Sequence, residues 1–195
     1  RHDAIGNDIC HMYQTLNSDY ECYVHCDYLQ NENLRLIDRQ KLDDFISDPG
    51  NLVIYHHSQF WEEGECLLAK SSARKMFKYH NITPASFFEG CCDDAFCKCS
   101  AGRLQTARLT AEYSSSVWMG DSLFNLKDID AVPAGNKMVV PPFNNMPEWT
   151  KAVPDEHALR ALLGNGMINL LFVGRVVPNK GHKFLLRVVR DFIDH

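Results

Sequence analysis

Short apolar runs alternate with stretches of helical spacing along most of this chain, and that alternation restricts the possible folds more than any other feature. Leu52 to Tyr55, Met76 to Tyr79, Ser116 to Met119 and Met138 to Val140 are apolar-rich runs of strand length, too brief for helices. The first is introduced by Asp48-Pro49-Gly50-Asn51, which is turn chemistry. Ile5, Ile9, Met12, Tyr13 and Leu16 recur at helical spacing, and Arg103 to Tyr113 and Ser122 to Ile129 have helix-like composition. The segment Glu21-Cys22-Tyr23-Val24-His25-Cys26 is a further strand-like run, and a strand before Asp3 would complete the first unit. Strands alternating with helices predict an α/β fold, a parallel sheet with helices on both faces.

At 195 residues and 45% hydrophobic content, the chain can bury a full core. Its 25 acidic and 20 basic residues leave a formal charge of -5, which gives no broad positive field for nucleic acid. Any anionic ligand must be held locally. The longest apolar runs, Leu170 to Val173 and Val139 to Phe143, fall far short of the roughly 20 residues a membrane-spanning helix needs. The chain opens on Arg1-His2-Asp3 without an initiator methionine or apolar leader, so a piece of a longer protein is expected. Eight cysteines in a chain with a large apolar core read as free thiols of a reducing compartment.

In open parallel sheets, ligands gather at the carboxyl ends of the strands. Here those ends carry His56-His57-Ser58, His80-Asn81 and Gly120-Asp121-Ser122. Side chains alternate along a strand, so Val53, Tyr55 and His57 share one face while Ile54 and His56 share the other. Only one of the two histidines can face a common cleft. Gly6, in Asp3-Ala4-Ile5-Gly6-Asn7-Asp8, would let backbone N–H groups approach a ligand at a helix start, or simply serve packing in its first turn.

The stretch Asn169 to Phe184, NLLFVGRVVPNKGHKF, reads as a buried strand, a phosphate-facing loop and the start of a helix over Lys183 to Phe192. Pro178 suits helix entry, and Arg175 and Lys180 flank it where a helix dipole already favours an anion. A guanidinium fork beside a compact ammonium suits a diphosphate and its departing charge. Cys91, Cys92, Cys97 and Cys99 lie close together, but adjacent thiols and a C-x-C differ from the paired knuckles of structural zinc sites. No metal is expected there.

The residues LLFVGRVVPNKGHKFLL resemble the opening of the donor-binding domain in retaining glycosyltransferases of family 4, which have the two-domain GT-B architecture. DAIGNDI is similar to that family's glycine loop and first helix, LVIYHHS to its central strand and histidine, and KYHNITPASFF to the next strand. MGDSLFN and MVVPPF resemble the close of the acceptor domain. The motifs cover nearly the whole chain in the family's order.

The resemblance implies a Rossmann-like sheet, the N-terminal half of a GT-B fold. It implies an acceptor-binding domain over 1–140, a linker with a short helix from Asp155 to Leu163 over 141–167, and the first strand and helix of a donor-binding domain over 168–195. Carried over, Arg175 and Lys180 would bind the donor diphosphate, with Gly6 touching the same phosphates across a cleft. His57 would be the cleft histidine near the transferred sugar, His56 the alternative, and His80 and Asn81 would line the acceptor side. The implied partners are a nucleotide diphosphate sugar and a glycan or lipid-linked acceptor, with no nucleic acid. No cofactor, metal or side-chain nucleophile is expected. The expected location is the cytoplasm, with room for peripheral association at the inner face of a membrane. Two other readings stay open: a sugar-nucleotide epimerase of the same architecture, and a non-catalytic Rossmann-like binding module.

Overall fold

The computed structural model describes residues 4–27, 33–144, 146, 150–163 and 166–194. The expected strand before Asp3, the Pro147-Glu148-Trp149 portion of the linker, Gly164 and His195 lie outside the described residues. The chain divides into two units, Arg1–Asn144 and Asn145–His195, with the division inside the stretch expected to be a linker.

The first unit is an α/β fold built on a four-stranded, all-parallel sheet. Its strands are β1 (Leu52–His57), β2 (Arg74–Tyr79), β3 (Val117–Gly120) and β4 (Lys137–Val139), paired in that order. The runs expected at Leu52 to Tyr55, Met76 to Tyr79, Ser116 to Met119 and Met138 to Val140 are these four strands. Parallel neighbours cannot be joined by a tight hairpin. Helix α3 (Glu62–Lys70) therefore carries the chain from β1 to β2, and α4 (Asp93–Glu112) carries it from β2 to β3. Helix α1 (Ala4–Leu16) precedes the sheet, and α2 (Arg39–Ser47) leads into it, capped by Asp38, whose carboxylate accepts from the Lys41 amide.

The register sorts the sheet into two faces. His57 pairs with Tyr79, and Phe77 with Trp118, so these side chains share one face with Val53 and Tyr55. That face is the core. Tyr55, Phe77, Tyr79 and Trp118 pack there with Leu68 of α3, Leu109 of α4, and Ile82, Ile129 and Val132. Phe77 stacks on Trp118 with ring centroids 4.2 Å apart, and Tyr55 lies nearly parallel to Trp61 at 6.0 Å. Gly64 of α3 makes the second stack possible, because a Cβ there would fall 2.2 Å from the Trp61 ring and 2.7 Å from Tyr55. The opposite face carries Ile54, His56, Met76, Lys78 and Met119, and α1 lies against it.

Two expectations in this unit are corrected. The run from Glu21 to Cys26 is not a strand: Val24 forms an isolated parallel bridge with Leu36. Ser122 to Ile129 is not an α-helix but a turn followed by a 3-10 segment over Asn125–Ile129. The Ser122 hydroxyl bonds to the Asn125 side chain and receives the Asn125 amide, a local closure that competes with helix formation.

In the second unit, α5 (Glu156–Leu163) forms as expected, and α6 (His182–Asp194) follows a 3-10 turn over Pro178–Lys180. Gly181 closes that turn with φ 71°, a left-handed conformation that glycine adopts without a Cβ clash. The expected buried strand from Leu170 to Val173 is absent, and Leu171 is 89% exposed. A strand needs a ladder partner, and no strand occurs among the described residues of this unit. None of the described helices is long and apolar enough to cross a membrane.

Candidate functional site

Five ionisable side chains from four places in the first unit converge on the α1 face of the sheet. Asp8 comes from the second turn of α1, one helical repeat before Met12, so both lie on the buried stripe of that helix. His56 is the last residue but one of β1, Lys78 sits in β2, His80 follows β2, and Asp121 follows β3. His56 is paired with Lys78, and Lys78 with Met119, which places all of them at the carboxyl end of three adjacent strands.

Asp8 and Lys78 are completely buried. The Asp8 Oδ1 accepts from the Phe143 amide, which ties α1 to the segment after β4. Its Oδ2 has no hydrogen-bond partner. It lies 3.6 Å from His80 Nε2, 3.8 Å from His56 Nδ1 and 3.8 Å from Lys78 Nζ. Lys78 donates to the Val140 and Pro141 carbonyls and pairs with Asp121 at 3.4 Å. Burial of an ammonium is costly unless it is paired and hydrogen-bonded, and here both conditions are met.

The two imidazoles are coupled. His80 Nδ1 lies 3.0 Å from Asp121 Oδ2, and His80 Nε2 lies 2.9 Å from His56 Nδ1. A carboxylate can only accept, so His80 Nδ1–H donates to Asp121. Burial, reinforced by His80 and Lys78, pushes His56 down to about 3, so it is a neutral base. For Asp121, burial acts upward but is outweighed by the His80 hydrogen bond and the His80 and Lys78 charges, so its carboxyl sits below the ordinary value. His56 also lines an open cavity of about 1990 Å³ whose wall includes Gly6, Ile9, Met76, Met119 and Phe143. The exposed edge of the cluster is small: His56 is 13% and Asp121 19% accessible at the side chain.

Of the residues singled out in the sequence, the structure brings His56 and His80 together. It does not bring His57 to them. His57 is on the core face, completely buried and stacked on Tyr55. The Thr106 hydroxyl donates to the Gly102 carbonyl, so it accepts from His57 Nε2–H at 2.8 Å. Burial pushes His57 down to about 4, a neutral core histidine. Asn81 adopts φ 65°, the one non-glycine positive φ among the described residues, and its Oδ1 is buried without a hydrogen bond. The turn is held in that shape because the Ile82 amide donates to Tyr79 Oη and Arg103 donates to the Ile82 carbonyl. Gly6 lies within the first turn of α1. Arg175 and Lys180 are exposed on either side of Pro178 in the second unit.

Asp121 stood only within the strand end Gly120-Asp121-Ser122, and Asp8 and Lys78 were not among the sequence candidates. Two signals marked them: a carboxylate on the apolar stripe of α1, and a lysine on the same strand face as Met76. Cys91, Cys92, Cys97 and Cys99 form no disulfide, and α4 separates the last two, because residues two apart on a helix point in different directions. Comparison with known proteins gives no match to any family model, curated protein or solved structure.

Proposed function

We propose that this chain belongs to a retaining glycosyltransferase that moves a hexose from a nucleotide diphosphate sugar to a glycan or lipid-linked acceptor, and that the first unit is its acceptor side. The observation that carries this reading is the network of Asp8, His56, Lys78, His80 and Asp121 at the carboxyl ends of three parallel strands, beside an open cavity. The resemblance of the motifs to family 4, in the family's order, supports the choice of reaction.

In this reading, the bond between the sugar and the donor phosphate breaks and a bond to an acceptor hydroxyl oxygen forms on the same face of the sugar. The acceptor's proton passes to the departing phosphate. His56 then serves as a positioning hydrogen-bond partner for the transferred sugar, its ring aimed by His80, which Asp121 orients. Asn81 and His80 shape the acceptor side. Arg175 and Lys180 stabilise the charge on the nucleoside diphosphate as it leaves. In this reading His56 takes the cleft-histidine role, since His57 is enclosed by the core.

The test is a screen of nucleotide diphosphate hexoses with the natural gene product, measuring nucleoside diphosphate release with and without candidate acceptors. Acceptor-dependent release with a product of unchanged anomeric configuration supports the proposal. Epimerised donor formed without any acceptor would sink it in favour of the epimerase reading. Arg175→Ala or Lys180→Ala is expected to lower turnover by about a hundredfold or more with little loss of folding. Turnover equal to the parent would remove the diphosphate role from that residue.

A further inference from the structure

We infer that Asp8, His56 and His80 form a binding site for a divalent transition-metal ion of the zinc class. The inference rests on the geometry of these residues and is independent of the transferase reading.

The three candidate ligand atoms are Asp8 Oδ2, His56 Nδ1 and His80 Nε2, all within 4.8 Å of one another. Their separations are 2.9 Å between the imidazole nitrogens, and 3.8 Å and 3.6 Å from the carboxylate oxygen to His56 and His80. The circle through three points with those separations has a radius of about 2.0 Å, and zinc bonds to imidazole nitrogen and carboxylate oxygen are about 2.0–2.2 Å. An ion at its centre lies within bonding distance of all three atoms.

The surroundings have the form a metal site requires. Asp8 is wholly buried, and its Oδ2 accepts no hydrogen bond although it points at both imidazoles. His80 gives its other ring nitrogen to Asp121, the carboxylate–histidine arrangement that fixes the tautomer of a ligating imidazole. Asp8 Oδ1 is held by the Phe143 amide, which leaves Oδ2 as the ligating oxygen. Lys78 is the one ammonium within ion-pairing distance of Asp8 among the described residues, and the Val140 and Pro141 carbonyls and Asp121 hold it. By formal charge, the carboxylates of Asp8 and Asp121 exceed Lys78 by one, so a cation is admitted.

The donor set selects the ion. Two nitrogens and one oxygen do not suit calcium or magnesium, which take oxygen ligands in higher number. They suit zinc, cobalt or nickel. Three protein ligands leave a further coordination position for water, the pattern of an open site. The ligands come from α1, β1 and the turn after β2, so the ion would clamp α1 to the sheet.

Cobalt(II) titrated into the chelator-treated, reduced natural gene product tests this, because its spectrum reports its ligands. One equivalent should bring up the visible d–d bands of low-coordinate cobalt without intense near-ultraviolet thiolate charge transfer. His56→Ala, chosen because His56 is the most exposed of the three ligands, should lose those bands while circular dichroism shows the parent fold. Asp121→Asn should keep the bands and bind about 10–100-fold more weakly. Zinc should raise the melting temperature of the parent and not of His56→Ala. Failure to bind an equivalent of cobalt, a spectrum dominated by thiolate charge transfer, or bands unchanged in His56→Ala would each overturn the site.

Discussion

The two faces of one sheet, built from consecutive residues of the same strands, have opposite chemistry. His57, Tyr79 and Trp118 face the core, while their neighbours His56, Lys78 and Met119 face α1. On the core face, aromatic rings stack and polar side chains meet local partners: Tyr79 donates to Asp128, His57 to Thr106, Trp118 to the Tyr113 carbonyl. On the α1 face, two carboxylates, a lysine and two imidazoles crowd within hydrogen-bonding or ion-pairing range. Burying ions contributes little net stability compared with well-packed apolar residues. The aromatic face therefore accounts for the fold, and the charged face asks for a functional explanation. A histidine's meaning thus depends on strand parity, since His56 and His57 differ by a single position.

Three substitutions or conditions test how far this division goes, in falling order of effect. Trp118→Ala should cost about 3–5 kcal/mol, read from denaturant unfolding, because a large, fully buried ring leaves a cavity at the Phe77 stack. A cost below about 1 kcal/mol would mean that the aromatic face is not the stabilising one. Acid should come next. His56 and His57 are both held below the ordinary value near 6.5, at about 3 and about 4, so the unfolded chain binds protons that the folded chain refuses. The stability tied to His57 is complete above about pH 6.5 and is lost as the pH falls toward about 4, by up to about 1.4 kcal/mol per pH unit. His57→Gln should flatten that acid limb; an unchanged limb would break the assignment of His57 to the core. The smallest effect belongs to Asn81, where Asn81→Ala should cost about 1 kcal/mol through its positive φ while Asn81→Gly is close to neutral in thermal unfolding.

Much of the sheet was legible in the sequence, and little of the site. The four apolar runs became strands, each paired with a parallel neighbour in one sheet, and alternation along Leu52–His57 correctly placed the two histidines on opposite sides. Leu170 to Val173 has the same local text without a ladder partner among the described residues, and composition alone cannot show whether a partner exists. Asp8, Lys78 and Asp121 are far apart in the chain, and each read singly is an ordinary helix, strand or turn residue. Only the parallel register and the position of α1 bring them within ion-pairing distance. His56 stood in the sequence as the alternative to His57, and the choice between them needed the identity of the face that packs on α3 and α4.

The most direct test compares His56→Ala with His57→Gln in the donor screen, with folding checked by circular dichroism. If the charged face is the site, His56→Ala lowers the rate of transfer by about a hundredfold or more while His57→Gln, once folded, stays within severalfold of the parent. A full rate in His56→Ala, or a collapse of rate in folded His57→Gln, would contradict the account.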